Sequence, residues 1–200
     1  MAAVNEDYPA RMYASGPDPW RISEGFYEAR KRQILLSCLP EPRYVHCFEP
    51  ACGNGELSVQ LAGRCDRLLA CDIAEPAVDR TATRLADHPG VQVRRLAMPA
   101  DWPDERFDLI VLSEFGYYLS WPEWQSVVSR TAGSLTGQWT VIACHWLPDF
   151  AERRIGTEEL HAELAARLPG RHVLRLRDED FWLDVFTGRS DSLASREGRR

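Results

Sequence analysis

Residues 44–55 read YVHCFEPACGNG, the pattern of a buried strand that ends in a glycine-rich turn. The first half, Tyr44–Glu49, is largely apolar, and the turn that follows contains Gly53 and Gly55. Glycine lets the backbone turn tightly and lets a ligand approach the main chain where a Cβ would otherwise stand. Because a helical pattern begins at Glu56, the stretch predicts a strand, a ligand-binding turn and the free N–H groups of a helix start.

The same strand-then-helix order recurs along the chain. Strands are predicted at 44–49, 67–72, 91–96, 107–113 and 139–145, and helices at 56–62, 75–85 and 121–135. Buried strands that alternate with helices are typical of a parallel sheet with helices on both faces. A helix is expected at 157–168, and strand-like runs at 171–177 and 180–186 predict an antiparallel hairpin at the sheet edge. The predicted fold class is therefore α/β, with a mostly parallel seven-stranded sheet.

The two ends of the chain differ from this central pattern. Residues 1–20 are rich in Pro, Gly and Asp without a clear period, which predicts a mobile arm, and a helix is expected at 26–39. We expect residues 1–40 to form an N-terminal arm and helix, and residues 41–186 to form the single domain. The segment 187–200 is polar and Arg-rich, which predicts a disordered tail.

Composition argues against several classes of protein. Two hundred residues, 44% of them hydrophobic and 27% charged, suit one globular domain with a continuous core. A net charge of −6 argues against a nucleic-acid partner, because phosphate contacts require a clustered basic surface. No apolar run approaches the roughly 20 residues that span a bilayer, and the N-terminus lacks the apolar segment of a signal peptide. The six cysteines form no CxxC pair, so we expect buried free thiols, no metal site and a cytoplasmic location.

Two acidic residues end predicted strands at positions that suit a nucleoside-containing ligand. Glu49 ends the first strand, where a carboxylate favours a ligand with a cationic centre and disfavours bound phosphate. Asp72 ends the second strand, 23 residues later. In doubly wound folds an acidic residue about 20 positions past the glycine-rich turn accepts hydrogen bonds from ribose hydroxyls. The alternative is that Asp72 caps the helix that begins at Glu75 and Pro76.

Together these motifs resemble those of class I S-adenosylmethionine-dependent methyltransferases, which have a Rossmann-like fold. The resemblance is carried by the E-x-A-C-G-x-G turn at 49–55, the Cys-Asp pair that ends the second strand, and FDLIVLSE at 107–114. More narrowly, the chain is similar to the nodulation protein S family of chitooligosaccharide N-methyltransferases. That similarity lies in DPWR at 18–21, CDRL at 65–68 and SEFGYYL at 113–119. The resemblance covers roughly residues 18–186.

The resemblance implies that S-adenosylmethionine is the cofactor. Three positions depart from the usual motifs: Ala51 stands at the first glycine, Asn54 replaces a commonly small residue, and Met98 follows the third strand without the acidic residue often found beside adenine. We expect the Met98 backbone amide and apolar contacts to hold adenine instead. The implied cofactor-binding residues are Trp20, Arg21, Lys31, Glu49, Ala51, Cys52, Gly53, Gly55, Asp72, Ile73, Met98 and Ser113.

Part of this set belongs to the N-terminal arm and the first helix. Trp20 and Arg21 are expected to fold over the cofactor, so that the arm acts as a lid. Arg30 or Lys31, the latter the only lysine of the chain, is expected to pair with the methionine carboxylate. The alternative is a solvated basic helix face at 30–32.

Acceptor-side residues are expected where the fourth and fifth strands end. Glu114 follows the fourth strand and His145 ends the fifth, at the sheet edge where open α/β sheets bind ligands. We expect both to bind and deprotonate the acceptor, because an amine must be neutral to present its lone pair. The alternatives are a structural carboxylate and a satisfied, half-buried imidazole. Aromatic walls for an acceptor pocket, or else parts of the core, are expected from Tyr117, Tyr118, Trp121 and Trp146.

The sequence thus predicts methyl transfer to a small molecule, with an amino sugar or another glycan-derived or natural-product acceptor methylated on N or O. One alternative is a nicotinamide-dependent oxidoreductase on a similar sheet. Against it, the turn lacks the third glycine of the dinucleotide fingerprint, and Val59 and Gln60 continue the helix. A second alternative is a non-catalytic protein that keeps the cofactor-binding fold, although the set of Glu49, the two turn glycines and Asp72 is intact.

Overall fold

A computed structural model describes residues 7–200 of the chain. Within these residues lies one sheet, whose strands are β1 (Tyr44–Glu49), β2 (Cys65–Asp72), β3 (Val91–Arg95), β4 (Phe107–Ser113), β5 (Leu135–Trp146), β6 (Arg171–Arg177) and β7 (Phe181–Thr187). The helices of the described part are α1 (Asp7–Ser15), α2 (Phe26–Ser37), α3 (Glu56–Ala62), α4 (Glu75–Arg84), α5 (Trp121–Ser134), α6 (Thr157–Arg167) and α7 (Leu193–Arg196). One turn of 3₁₀ helix, Gly116–Tyr118, follows β4.

The strands lie in the order β3-β2-β1-β4-β5-β7-β6. Strands β1 to β5 pair in parallel, whereas β7 is antiparallel to both β5 and β6. The predicted seven-stranded, mostly parallel sheet with a C-terminal hairpin at its edge is therefore confirmed. Strand order reverses between β1 and β4, and open α/β sheets bind ligands at the carboxyl ends of the strands beside such a reversal.

Helices cover both faces of the sheet because the strands are apolar on both sides. Successive side chains of a strand point to opposite faces. In β4, Leu109 packs in one buried cluster with Leu61 of α3, and its neighbour Ile110 packs in the other cluster with Trp124 of α5. This double coverage fixes the strand ends, and thereby the loops that form the site.

The N-terminal arm is more regular than the sequence predicted. Helix α1 occupies part of the segment expected to be mobile, and the first six residues of that segment lie outside the described part of the chain. Tyr13 of α1 is buried against Ala77 of α4 and meets the Trp20 ring at 5.3 Å between centroids. A helix of this length draws its stability from such tertiary packing, which leaves no period in the local sequence.

The C-terminal tail also differs from its prediction. Arg189 and Arg196 donate hydrogen bonds of 2.7 and 2.6 Å to the two carboxylate oxygens of buried Glu41, which precedes β1. Arg196 is the last residue of helix α7, so this contact fixes the helix to Glu41 before β1. The expectation of a disordered tail failed because the partner of these arginines lies about 150 residues away in sequence.

No helix within residues 7–200 combines the length and the apolar character needed to cross a membrane. Five of the six cysteines are buried and Cys38 is partly exposed, each as a free thiol. Burial raises the pKa of the Cys52, Cys71 and Cys144 thiols, so these uncharged side chains pack as small apolar groups.

Candidate active site

A cavity of about 730 Å³ opens beside the carboxyl ends of β1 and β4. This volume lies within the range of roughly 300–1,000 Å³ that is usual for small-molecule sites. All but one of the residues predicted to bind the cofactor line it, namely Trp20, Arg21, Lys31, Glu49, Ala51, Cys52, Gly53, Asp72, Ile73, Met98 and Ser113. Gly55, the remaining one, shapes the turn from behind.

The glycine-rich turn has no room for side chains at its two glycines. Gly53 and Gly55 adopt left-handed backbone, with φ of 56° and 83°. A Cβ at Gly55 would lie 2.9 Å from Oγ1 of Thr81 in α4, and a Cβ at Gly53 would lie 3.2 Å from Cδ1 of Ile22 in the arm. The backbone of the turn after β1 therefore passes close to both α4 and the arm, and at Gly53 it lines the cavity.

Glu49 is a buried carboxyl at the end of β1. It accepts a hydrogen bond of 2.6 Å from the Ser58 hydroxyl. Burial raises the pKa of Glu49 to about 7, against the smaller opposite effect of the Ser58 hydrogen bond. A positive group placed in the cavity would favour the ionised form of Glu49.

Asp72 supports the turn and faces the cavity at the same time. One of its carboxylate oxygens accepts the N–H of Gly53 at 3.0 Å, and the other accepts the N–H of Ala74 at 2.9 Å. Burial nevertheless raises the pKa of Asp72 to about 6. A carboxylate offers about four lone-pair positions, and with the Ile73 backbone N–H as a third donor one position remains for a ligand's hydroxyl. Asp72 does not cap α4, whose N-cap residue is Ala74, and its place at the cavity wall is compatible with the interpretation as a ribose acceptor.

Beyond Asp72 the cavity wall is apolar. Ile73, Leu96 and Met98 line it, and the Ala97 N–H is already taken by a carboxylate oxygen of Asp101 at 3.0 Å. A planar, apolar ring system would fit this part of the wall.

The arm lies over the turn and is fastened to it. The Asn54 side chain donates a 2.7 Å hydrogen bond to the Ser23 hydroxyl, and Arg80 of α4 donates a 2.7 Å hydrogen bond to the carbonyl of Pro17. The side chain of Asn54, at a position where a small residue is common, therefore binds the arm to the turn. Arg21 lines the cavity but is largely exposed, with its side chain 81% accessible.

Lys31 has a different partner from the one predicted. Its Nζ lies 3.0 Å from Glu28 Oε1 and 2.9 Å from Glu114 Oε1, in a side chain that is 9% exposed. Burial alone would lower the pKa of Lys31, but the charges of Glu114 and Glu28 raise it above its usual value. Two carboxylates already balance this ammonium, so the prediction that Lys31 pairs with the methionine carboxylate needs correction. Arg30, the other candidate, points away from the cavity and pairs with Asp178 at 2.7 Å.

Arg32 was missed in the sequence and is the better candidate for a carboxylate. It lines the cavity, its Nη1 donates to the carbonyl of Ile22 at 2.5 Å, and its Nε is buried without a partner among the described residues. Helical spacing in the sequence could have identified Arg32. It lies four residues after Glu28, and residues at that spacing share a face of α2, as Glu28 and Lys31 do at a spacing of three.

Glu114 sits at the end of β4 in a strained backbone conformation. Its φ of 59° is rare for a residue with a side chain, and such strain concentrates at functional sites. Oε2 accepts hydrogen bonds from the Tyr117 hydroxyl at 2.6 Å and the Trp146 N–H at 3.0 Å, while Oε1 accepts from Lys31. The carboxylate is therefore held by three donors at the cavity wall.

His145 lies outside the cavity, which corrects the prediction that it would bind and deprotonate the acceptor. The ring is fully buried behind Tyr117, with 5.7 Å between their centroids. Its Nδ1 lies 3.1 Å from Nε2 of His161, whose Nδ1 lies 3.0 Å from a carboxylate oxygen of buried Asp184. Burial lowers the pKa of His145, followed by the effect of His161, so the ring is neutral. The network supports the 3₁₀ turn from behind.

Three of the four predicted aromatic walls are in place. Tyr117, Tyr118 and Trp146 line the cavity, and Phe150 joins them at 5.6 Å from Tyr118. Tyr117 is also part of the core, as the alternative interpretation held. Trp121 instead begins α5 and is 40% exposed, away from the cavity lining.

Comparison with known families identifies relatives of the chain. Residues 5–142 match the family described as nodulation protein S (NodS). The nodulation protein S of Rhizobium tropici is 32% identical over 103 residues, which cover 51% of this chain and 43% of that protein. The nodulation protein S of Sinorhizobium fredii is 28% identical over 120 residues, or 60% of this chain and 56% of that protein. The chain thus spans about half the length of these curated relatives.

Solved structures share the whole fold. A Pseudomonas syringae protein assigned to the methyltransferases is 39% identical, with a TM-score of 0.72 over 82% of this chain and 99% of that one. The N-methyltransferase NodS from Bradyrhizobium japonicum, solved with S-adenosyl-L-homocysteine, has a TM-score of 0.82 at 23% identity, over 91% of this chain and 97% of that one. The likeness to this NodS structure shows that the fold is that of the class I methyltransferases.

Proposed function

Because the chain belongs to the nodulation protein S family, we propose that it is an S-adenosylmethionine-dependent methyltransferase that acts on a small molecule. One observation carries the proposal: a single cavity joins the turn and carboxylates at the ends of β1 and β2 to Glu114 at the end of β4. The first part suits a nucleoside with a cationic centre, and the second lies where an acceptor would meet it. The free thiols fit a reducing compartment, so we place the enzyme in the cytoplasm.

Several features of the site fit this cofactor. Asp72 keeps a free lone pair for a ribose hydroxyl, and Met98 belongs to an apolar wall for adenine. Within residues 7–200, the Arg32 Nε–H has no partner and is available to the carboxylate. When bound, the cofactor supplies a methyl group on a positively charged sulfur, which departs as a neutral thioether. The arm, within residues 1–40, would close over it and exclude water.

For the acceptor we propose an amino sugar or another amine-bearing natural product. Glu114 and Glu152 line the cavity beside the aromatic rings of Tyr118, Trp146 and Phe150. Carboxylates favour an ammonium group, and aromatic faces suit the apolar faces of a sugar ring. A solved member of the family is an N-methyltransferase, which agrees with this choice.

Glu114 would act on the acceptor nitrogen. Three donors fix the orientation of its carboxylate, and Oε1, which within the described residues accepts from Lys31 alone, keeps a lone pair for a further hydrogen bond. An amine that arrives as an ammonium ion must lose a proton before transfer. Glu114 Oε1 would accept the hydrogen bond from that N–H and then the proton itself, which leaves the amine neutral.

Calorimetry and a methyl-transfer assay test the proposal together. S-adenosylhomocysteine should bind the purified protein whereas NAD should not, and labelled S-adenosylmethionine should deliver its methyl group to glucosamine or to a chitooligosaccharide with a free amine. Glu114→Gln should lower kcat/KM by roughly 100-fold and leave S-adenosylhomocysteine affinity within a few-fold. Glu158→Gln is the control, since Glu158 is exposed and pairs with Arg177 on the surface. Binding of NAD in place of S-adenosylhomocysteine would refute the proposal.

A further inference from the structure

Five tyrosines line the cavity, and their hydroxyl groups fall into two classes. The Tyr117 hydroxyl donates to Glu114, and those of Tyr118 and Tyr8 are hydrogen-bonded to each other. The hydroxyls of Tyr13 and Tyr27 are buried and have no hydrogen-bond partner among the described residues. Buried polar atoms in folded proteins almost always have a partner, so an unpartnered one in a side chain that lines a cavity is available to a ligand or a water molecule.

The two unpartnered hydroxyls belong to different ends of the cavity. A Cβ built on Gly53 would lie 3.6 Å from the Tyr13 oxygen, which also lies in the field of Asp72. Tyr13 therefore stands over the cofactor end. Tyr27 lies about one helical turn before Lys31, whose Nζ is 5.3 Å from the centre of the Tyr27 ring.

Tyr27 lies beside the residues that line the acceptor end of the cavity. Its ring meets the Trp146 ring edge-on, with centroids 5.6 Å apart, and Trp146 donates its backbone N–H to Glu114. Burial raises the pKa of the Tyr27 hydroxyl, and the charges of Glu114 and Glu28 add to this effect against the opposite effect of Lys31, so the hydroxyl stays neutral. A neutral phenol oxygen keeps a lone pair with which it can accept an N–H.

We infer that the Tyr27 hydroxyl oxygen binds the acceptor amine and selects nitrogen over oxygen as the methylated atom. The inference rests on the proposed methyl transfer. A neutral primary amine has two N–H groups and one lone pair in a tetrahedral arrangement. One N–H donates to Tyr27 and the other to Glu114 Oε1, which leaves the lone pair directed at the methyl donor. A hydroxyl acceptor has a single O–H, so it can donate a hydrogen bond to only one of these two oxygens.

The decisive substitution is Tyr27→Phe, which removes one oxygen and keeps the ring against Trp146. Tyr13→Phe is its matched comparison, because it removes the other unpartnered hydroxyl from the opposite end. The probes are the glucosamine dimer and cellobiose, which present amines and hydroxyls at the same ring position. Both are titrated into the protein loaded with S-adenosylhomocysteine, and kcat and KM are measured with labelled methyl donor.

Wild-type protein should bind the amine at least tenfold more tightly than cellobiose. Tyr27→Phe should remove most of that difference and lower kcat/KM for the amine tenfold or more, with unchanged affinity for S-adenosylhomocysteine. Tyr13→Phe should have the opposite effects: it should lower the affinity for S-adenosylhomocysteine and leave the preference for the amine over cellobiose unchanged. Retained S-adenosylhomocysteine binding also shows that Tyr27→Phe is folded.

Three results would overturn the inference. They are an amine that the wild type binds no better than cellobiose, an unchanged preference in Tyr27→Phe, and a loss of S-adenosylhomocysteine affinity in a folded Tyr27→Phe protein. Each is distinct from failure of the proposed function, in which wild-type protein binds no S-adenosylhomocysteine at all.

Discussion

On helix α2, Glu28, Lys31 and Arg32 share one face because residues three and four apart are neighbours on a helix. The sequence predicted that Arg30 or Lys31 pairs with the methionine carboxylate, whereas Arg32 is the cation on this face that has an unpartnered nitrogen among the described residues. Lys31 is matched by two carboxylates, one of them Glu114 at the end of a strand 83 residues later. Which of two adjacent basic residues is free depends on that long-range partner, and no local pattern contains it.

Arg32 provides the first test at this scale. Arg32→Gln should weaken S-adenosylhomocysteine binding at least tenfold, because a hydrogen bond to a charged group contributes roughly 1.5–3 kcal/mol. Methylthioadenosine, which lacks the amino-acid part, should bind the variant as well as it binds wild type. Calorimetry with both ligands separates the two ends of the cofactor.

Arg30→Gln is the control for Arg32, because Arg30 pairs with Asp178 away from the cavity. Arg30→Gln should change the affinity for S-adenosylhomocysteine and for methylthioadenosine by no more than about twofold, because exposed ion pairs contribute little free energy. If Arg32→Gln weakened both ligands equally, the guanidinium would be holding the arm through Ile22 rather than binding the carboxylate.

Gly55 provides a second test. Gly55→Ala should destabilise the protein by roughly 1–3 kcal/mol, since alanine is strained at a φ of 83° and its Cβ would lie 2.9 Å from Thr81 Oγ1. Gly63→Ala should be neutral or stabilising, because Gly63 has a φ of −72° and its nearest contact would be 3.5 Å away. Urea unfolding of both variants measures the difference, and equal stabilities would contradict the strain argument.

Other residues of the site were predictable because their signals are local. Glu49 and Asp72 end predicted strands and the turn glycines follow one of them within a few residues. Glu49, Gly53 and Asp72 line the cavity, and Gly55 shapes the turn. His145 was misplaced although its strand was correct. Whether a side chain at a strand end faces a cavity or the core is decided by packing from α5 and α6, which its own sequence does not encode.

At the scale of elements, the alternation of apolar runs in the sequence predicted the sheet, but no sequence pattern predicted the structure of the arm. Strands of the central sheet carry their burial in their own sequence, so their order of appearance predicted the parallel core. Helix α1 lies in a segment of Pro, Gly and Asp, and depends on α4 for its packing. Side-chain hydrogen bonds such as that from Asn54 to Ser23 join elements that are far apart along the chain.

The arm should open when its fastening is removed. Asn54→Ala deletes the hydrogen bond to Ser23, and trypsin should then cleave after exposed Arg21 several-fold faster than in wild type. S-adenosylhomocysteine should slow the cleavage in both proteins if the arm is a lid. Gln60→Ala is the control, since the Gln60 amide bonds only to the carbonyl of Glu56 on its own helix. Equal cleavage upstream of residue 30 with and without ligand would rule out a lid.

At the scale of the whole molecule, two groups of buried residues set opposite pH dependences. Glu49 and Asp72 have raised pKa values, so the folded protein binds more protons than the unfolded chain and their burial costs stability as pH rises through about 7. The pKa values of His145 and His161 are lowered by burial. Below the ordinary histidine range the unfolded chain binds more protons, so this pair costs stability as pH falls.

Replacing Glu49 isolates the carboxyl contribution from that of the histidines. A pKa raised from 4.5 to about 7 corresponds to about 3 kcal/mol, so cofactor-free Glu49→Gln should gain up to that amount over wild type at pH 8 and nothing at pH 4.5. Urea unfolding at both values measures it, with Glu158→Gln as the exposed control that should show no such change.

In the empty site, ionisation of buried Glu49 and Asp72 lowers the free energy of unfolding. Cofactor binding should offset this loss. Ribose hydroxyls and a cationic group favour the charged carboxylates, so binding of S-adenosylhomocysteine should release protons near neutral pH and tighten as pH rises through 6 to 7. Titrations in two buffers of different ionisation enthalpy count the protons released, and Glu49→Gln should release fewer. Affinity that is constant from pH 5.5 to 8, with no proton release, would mean that the carboxylates of the empty site are already ionised and that burial does not hold them neutral.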